Sequence, residues 1–297
     1  MEVPSNSSFD SISPSAKSLL LIKSLTTIPF IKEAVKLLGI NKNLHHDNEK
    51  FTSYQSILRS IHFETRYWSI DEALSAINLN NILEFSSGFS FRGLSKCENS
   101  EIFYIDTDLP QILETKKKMI RELSKKYCTY AISNLKLLEL NVLDKDAFTK
   151  VINQFPNGPV AIVNEGLLMY LTKEQKKELC SVLHEILQQR GGYWITADVY
   201  IKRDEQSALS FDIFSKDGRD FLTNHNVEEN KFESFKSAKE FFANCGFELY
   251  KKVEVSPVKV SSRKWLRKVP RDILEELKTR TKIRETWILK PIKEIKE

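Results

Sequence analysis

The chain has 297 residues, 41% hydrophobic and 10% aromatic, enough to build the core of one large α/β domain or two small ones. Its 45 basic and 40 acidic residues nearly cancel to a net +5, which gives a mixed surface and excludes the concentrated basic footprint of a dedicated nucleic-acid binder. Cys97, Cys128, Cys180 and Cys245 stand far apart with no C-x-x-C pair, so they read as free thiols of a reducing compartment and offer neither a disulfide frame nor a zinc site.

Residues 1–14 are rich in Ser and Pro, carry acids where a signal peptide needs bases, and read as a mobile N-terminus. Residues 15–76 read as a helical cap. Leu19, Leu20, Ile22 and Leu25 precede Pro29, and Ile31, Ala34, Val35 and Leu38 precede Gly39, the spacing of two short amphipathic helices. Lys23, Lys32, Glu33 and Lys36 interrupt this stretch, which falls short of the roughly 20 apolar residues of a membrane span. A soluble, cytoplasmic protein is the expectation. The segment NKNLHHDNEK reads as a polar loop in which His45 and His46 are exposed rather than metal ligands, and Tyr54 to Ala76 reads as one or two helices.

Residues 77–297 alternate. Strands are predicted at Ile82–Phe85, Ile102–Ile105, Leu137–Leu140, Val160–Val163 and Tyr193–Ala197, separated by helices after Arg92, at Pro110–Lys126, around Asp146–Phe155 and at Thr172–Gln189. Strands spaced by ten to fifteen helical residues predict right-handed crossovers and a parallel sheet covered on both faces, with ligands outside the carboxyl ends of the strands. Residues 198–236 break the rhythm and read as an insertion where a lid would lie. Helix Ser237–Asn244, strand Phe247–Val255, the basic stretch KVSSRKWLRKVPR, helix Asp272–Arg280 and strand Thr286–Leu289 follow. No repeat or linker is visible, so a single α/β core with a helical N-terminal cap is expected.

The informative stretch is NILEFSSGFSFRGL, Asn81 to Leu94. A buried strand runs into a turn of small residues, Ser86, Ser87, Gly88 and Ser90, with a helix behind it, the setting in which a nucleotide approaches backbone N–H groups. The dinucleotide fingerprint G-x-G-x-x-G is absent; E-x-S-x-G-x-S keeps one glycine and puts Glu84 ahead of the turn. That acid repels a pyrophosphate but suits a ligand carrying an ammonium and a sulfonium, which favours S-adenosylmethionine over NAD.

With FYIDTDLPQILETKKK (Phe103–Lys118), LELNVLD (Leu138–Asp144) and VAIVNEGLLMYLTKEQ (Val160–Gln175), the order of motifs resembles class I S-adenosylmethionine-dependent methyltransferases. More narrowly, it is similar to the leucine carboxyl methyltransferase and polyketide O-methyltransferase-like family. Asp106, Asp108, Pro110 and Lys116 match one of its patterns, and Glu165, Leu168, Tyr170 and Leu171 another. The likeness covers residues 60 to 200 well and the ends poorly. It implies a Rossmann-like, mostly parallel seven-stranded sheet and S-adenosyl-L-methionine as cofactor.

Site residues follow from the resemblance and from chemistry together. Arg66 fits the family's arginine on the cofactor carboxylate, a grip that a guanidinium makes with two parallel hydrogen bonds; the plain alternative is a surface pair with Glu64 or Asp71. Asp108 takes the ribose hydroxyls with Asp106 as its neighbour, unless one of them merely caps the next helix. Asn141 stands where the family often has Asp and, with Val142, faces the adenine; Asp144 reads as a helix cap. Glu165 balances the positive methionine end, since a buried carboxylate needs a cation. Glu84, Ser86 and Gly88 form the turn, and Tyr170 is either an acceptor-pocket wall or a core tyrosine.

The expected reaction is methyl transfer to a carboxylate or hydroxyl of a small molecule or terminal peptide. No histidine stands clearly near the motifs, since His184 falls on a helix and His225 in the insertion, which favours an acceptor needing no base. A cofactor-binding protein without transferase activity is the alternative, motivated by Ser86 and Asn141, and an NAD-dependent oxidoreductase is disfavoured by the missing glycines. The basic stretch from Lys259 to Arg271 reads as a solvated face before it reads as an RNA contact. No metal is expected, and oligomeric state is open.

Overall fold

The computed structural model of the chain describes residues 19–37, 53–202 and 222–292. The expected mobile N-terminus 1–14, the loop with His45 and His46, and the middle of the expected insertion lie outside the described residues.

Seven strands form one sheet: β1 (Asn81–Phe85), β2 (Phe103–Asp108), β3 (Leu135–Glu139), β4 (Val160–Asn164), β5 (Gly192–Tyr200), β6 (Phe247–Val253) and β7 (Arg284–Pro291). Their order is β3-β2-β1-β4-β5-β7-β6. β1 pairs in parallel with β2 and β4, β2 with β3, and β4 with β5, whereas β7 runs antiparallel between β5 and β6. This is the expected mostly parallel seven-stranded sheet, with β7 and β6 as an antiparallel edge. The strand order reverses between β1 and β4, and the crevice beyond their carboxyl ends is where such sheets take ligands. Every residue of β1 and β4 is buried, as strands covered on both faces require.

Helices α1 (Ile31–Leu37), α2 (Tyr54–Ile77), α3 (Arg92–Lys96) and α4 (Pro110–Tyr127) cover one face. Helices α5 (Lys145–Ile152), α6 (Lys173–Arg190) and α7 (Phe235–Asn244) cover the other, and α8 (Arg271–Thr279) buries no residue. The local signals are strong at α6. Thr172 and Gln175 form a reciprocal capping box, and Gly191 ends the helix at φ 74°. At Gly192, φ 113°, a Cβ would fall 2.0 Å from the Val160 carbonyl oxygen, so only glycine lets β5 join β4 there.

The N-terminal helical segment shares a core with the sheet. Leu20, Ile28, Ile31, Ala34 and Val35 pack in one cluster with Ile82, Tyr104 and Val163. The structure decides between one and two helices after Tyr54 and moves the end of β5. The stretch from Tyr54 is one continuous helix, closed by Asn78 in the left-handed region at φ 48°. Strand β5 runs on to Tyr200, so Asp198 and Tyr200 belong to the sheet; β7 pairs with it there, Val199 opposite Glu285. A bridge joins Ile201 to Phe232, and α7 begins at Phe235. No described helix is long and apolar enough to cross a membrane.

Candidate functional site

The turn after β1 is built by backbone geometry. Ser86 and Gly88 both hold positive φ, 49° and 52°, which bends the chain sharply at the carboxyl end of the strand. Asp108, the last residue of β2, fixes the bend from beside it: Oδ2 accepts the Gly88 N–H at 2.6 Å and Oδ1 the Leu109 N–H at 2.7 Å. Burial raises the Asp108 carboxyl above its ordinary range, and those two N–H groups oppose the rise. Each oxygen keeps a further acceptor site, so the carboxylate can still take two hydroxyls.

Asp106 is placed differently. It lies one layer in, fully enclosed, with the Lys116 ammonium 2.6 Å from Oδ2 and 2.7 Å from Oδ1. Ser87 donates to Asp106 as well, and Lys116 donates to Ser87 Oγ at 2.8 Å. Burial pushes the Asp106 carboxyl up to about 6 against the pull of Lys116. This trio holds the floor of the turn from beneath.

Glu84 is also beneath the turn rather than at its surface. Strand parity points it at the α2 face, where it accepts from Tyr104 Oη at 2.7 Å, Ser90 Oγ at 3.2 Å and Arg92 Nε at 3.4 Å. Arg92, wholly buried, also donates to the Tyr67 carbonyl at 3.1 Å, pairs with Asp71, and stacks 3.9 Å above the Tyr67 ring. Its remaining nitrogen reaches Glu165 Oε2 at 3.1 Å.

Glu165, just past β4, is thereby the centre of a charged cluster. Lys23 Nζ lies 2.7 Å and Arg66 Nε 3.2 Å from its Oε1. Burial alone would raise the Glu165 carboxyl; Lys23, Arg66 and Arg92 overcome it and hold the group well below the usual carboxylate range. Arg66 is buried on α2 and paired with neither Glu64 nor Asp71: Glu64 instead accepts from Ser261 and Ser262. Gly166 abuts Arg66 at φ 89°, where a Cβ would stand 3.2 Å from Arg66 Nη2.

Four residues of this site carry no motif. Lys23 reads in sequence only as an interruption of an apolar run. Asp198 anchors the turn after β4, accepting from the N–H groups of Gly166 (2.6 Å), Leu167 (2.7 Å) and Leu168 (3.3 Å) and from Asn164 Nδ2 (2.7 Å). Tyr200 Oη accepts from Arg66 Nη1 at 3.3 Å and lies 2.8 Å from His62 Nε2. His62 sits one helical turn before Arg66, the same-face spacing on α2. Strand parity on β5 and that spacing were the available signals.

The remaining expected residues are at the same end of the sheet or near it. The Leu140 N–H donates to the Asp108 carbonyl at 3.1 Å, which sets Asn141 beside Asp108. Asn141 Oδ1 accepts the Leu143 N–H at 3.2 Å, Val142 packs into the core, and Asp144 caps α5 through the Ala147 N–H. Tyr170 closes a short 3-10 turn and meets His225 edge to face at 6.0 Å. His184 packs against Phe247, away from this end.

Comparison with known proteins identifies a family. The model of the leucine carboxyl methyltransferase family matches residues 21–184, more than half of the chain. Among solved structures, a Thermobifida fusca protein assigned as a methyltransferase is 15% identical, with 80% of this chain and 83% of that one covered at a TM-score of 0.50. A mitomycin 7-O-methyltransferase is 8% identical, covering 84% and 60% at 0.47, and a pericyclic reaction enzyme 11% identical, covering 71% and 42% at 0.43. At such identities the likeness concerns the fold. The chain spans about half the length of the first solved structures it matches, from 42% to 58%. No curated protein matches it by sequence. The extent of the family match, with its motifs gathered at one end of a seven-stranded sheet, establishes that the chain belongs to the leucine carboxyl methyltransferase family of S-adenosylmethionine-dependent methyltransferases.

Proposed function

We propose that the chain binds S-adenosylmethionine across the β1–β4 crevice and transfers its methyl group to a carboxylate or hydroxyl oxygen. The observation that carries this reading is the cluster of Lys23, Arg66 and Glu165, with Lys23 and Arg66 both within 3.2 Å of Glu165. An α-amino acid terminus presents an ammonium and a carboxylate side by side. Two cations and one carboxylate in a buried site are the complementary set.

The residues present fit the rest of the cofactor. Lys23 and Arg66 hold its carboxylate, Glu165 its ammonium, and Asp108, with an acceptor site left on each oxygen, the two ribose hydroxyls. Ser86 and Gly88 leave room at the turn, and Asn141 with Val142 lies where the adenine ends. Glu84 and Asp106 act at one remove, by holding Arg92 and Ser87. When bound, the cofactor supplies an electrophilic methyl group on a sulfonium.

The chain's own contribution is alignment and exclusion of water at the end of β4. Leu168, Met169, Lys176, Asp198, Tyr200 and Phe232 surround a spot there with no room for a water molecule, and Tyr170 stands on the same 3-10 turn. A carboxylate acceptor arrives ionised and needs no base. For a hydroxyl acceptor, His62 Nε2 beside Tyr200 Oη is the imidazole that takes the proton. The sequence reading found no such histidine.

Calorimetric titration with S-adenosylmethionine and S-adenosylhomocysteine tests the reading. Wild type binds both, and Asp108→Ala, folded by circular dichroism, loses most of the affinity. A folded wild type that binds neither refutes it.

A further inference from the structure

Some surface cations of this protein are partnered, and others, such as Lys117, Arg121 and Lys125, stand in no ion pair among the described residues. Lys118, Lys145, Lys202, Lys252, Lys278, Lys282 and Lys290 each lie within 3.2 Å of a glutamate. The 3-10 segment Ser261–Lys268 gathers such cations in a stretch that holds no acid of its own. Its Arg263, Lys264, Arg267 and Lys268 are all exposed, and among the described residues none of the four has a carboxylate partner. From Lys259 to Arg271 the sequence holds six basic residues and no acid.

This segment is not a loose tail. Glu64 on α2 accepts from Ser261 Oγ at 2.6 Å, the Ser262 N–H at 2.8 Å and Ser262 Oγ at 2.6 Å. Those bonds outweigh the effect of burial and lower the Glu64 carboxyl below its usual range. Ser261 Oγ also accepts the Thr27 N–H at 2.9 Å, and Trp265 Nε1 donates to the Leu25 carbonyl at 3.4 Å. The segment is thus clamped to the helix that carries Arg66 and to the backbone just after Lys23. Four exposed positive charges with no carboxylate partner among the described residues are held at the rim formed by those two elements.

We infer that this rim is a docking surface for an acidic polypeptide segment. Clustered cations with no internal counter-ion repel one another, and a polyanion relieves that repulsion. In a 3-10 turn of about 2 Å rise per residue, Arg263 to Lys268 spans about 10 Å, the reach of about three residues of an extended chain. Single-stranded nucleic acid grips such surfaces by stacking bases on exposed rings. Trp265, the segment's aromatic ring, already carries the ammonium groups of Lys264 and Lys268 at 5.2 and 5.0 Å. A membrane calls for a contiguous apolar face, and Val258 stands alone as a strongly exposed apolar residue nearby, at 92%. Docking stands on the surface itself. That the docked chain presents the methyl acceptor rests on the function proposed above, and the two fail separately, since cofactor titration tests one and peptide binding the other.

The experiment uses the full chain and labelled poly-L-glutamate, with poly-uridylate and phosphatidylserine vesicles as rival probes. One variant replaces Arg263, Lys264, Arg267 and Lys268 with Ser; a control of equal charge replaces Lys118, Lys278, Lys282 and Lys290 with Ser. Both are checked for wild-type thermal unfolding and S-adenosylmethionine affinity. The expected result is salt-sensitive binding of poly-L-glutamate that falls roughly tenfold or more in the first variant and little in the control. Absence of binding, equal losses in the two variants, or tighter binding of poly-uridylate or vesicles than of poly-L-glutamate overturns the proposal.

Discussion

Arg66 and Glu165, 99 residues apart in the chain, hold each other at 3.2 Å. Each was expected to face one charge of an amino-acid ligand, and the fold sets those complementary charges side by side. Lys23 and Arg92 complete the pairing. Glu165→Gln leaves three buried cations without their shared carboxylate, so stability to urea falls by about 3–5 kcal/mol and affinity for S-adenosylmethionine falls with it. Unfolding at wild-type denaturant concentration shows that the cluster does not hold the site together.

A second prediction separates Asp106 from Asp108. Lys116→Met strands the enclosed Asp106 carboxylate and costs about 3–5 kcal/mol. Adding Asp106→Asn removes the stranded charge and restores most of that loss, since the amide still accepts from Ser87. The double variant keeps its cofactor affinity in calorimetry because Asp106 supports the turn from below. A double variant that is stable but no longer binds returns Asp106 to the list of direct contacts.

The contrast between these aspartates shows what a sequence can carry. The strand positions were legible because hydrophobic runs and glycines are local signals, and the D-x-P pattern marked Asp108 at the end of β2. Glu84 was read as an acid suited to a cationic ligand and Asp106 as the neighbour of Asp108 at the ribose. Their burial depends on Arg92 and Lys116, which arrive from helices on the α2 face. Lys23 was invisible for the same reason, and His62, Asp198 and Tyr200 offered only helix spacing and strand parity. A lysine in an apolar run reads as an interruption until Glu165 is placed beside it, and Asp198 reads as the start of an insertion until β5 is seen to continue to Tyr200.

Ser86 gives a third prediction. It holds φ 49°, a region that costs a side-chain-bearing residue about 1–2 kcal/mol, at a position where the resembled family usually has glycine. Ser86→Gly relieves that strain but frees the unfolded chain, which takes back about 0.4–1 kcal/mol. The expected net gain is about 0.5–1 kcal/mol in urea unfolding, with cofactor affinity kept or improved. A loss of stability shows that the serine hydroxyl contributes more than the strain costs.

Lys176 supplies a test in pH. It is buried on α6, donating to the Leu171 carbonyl at 2.9 Å and to the Asn230 carbonyl, and no carboxylate pairs with it among the described residues. Burial pushes its ammonium down to about 8 from an ordinary value of 10.5. The folded state therefore releases this proton before the unfolded state does. Between those values the unfolded chain binds more protons, so stability rises with pH; this contribution is complete above 10.5 and is lost as pH falls through about 8. Lys176→Met lacks the dependence. The wild type should gain about 1–3 kcal/mol on the variant between about pH 7 and about pH 10, measured by urea unfolding of both proteins. A difference that stays flat over that range means that the two carbonyls hold the ammonium as well as water does, and that the burial of Lys176 carries no charge penalty.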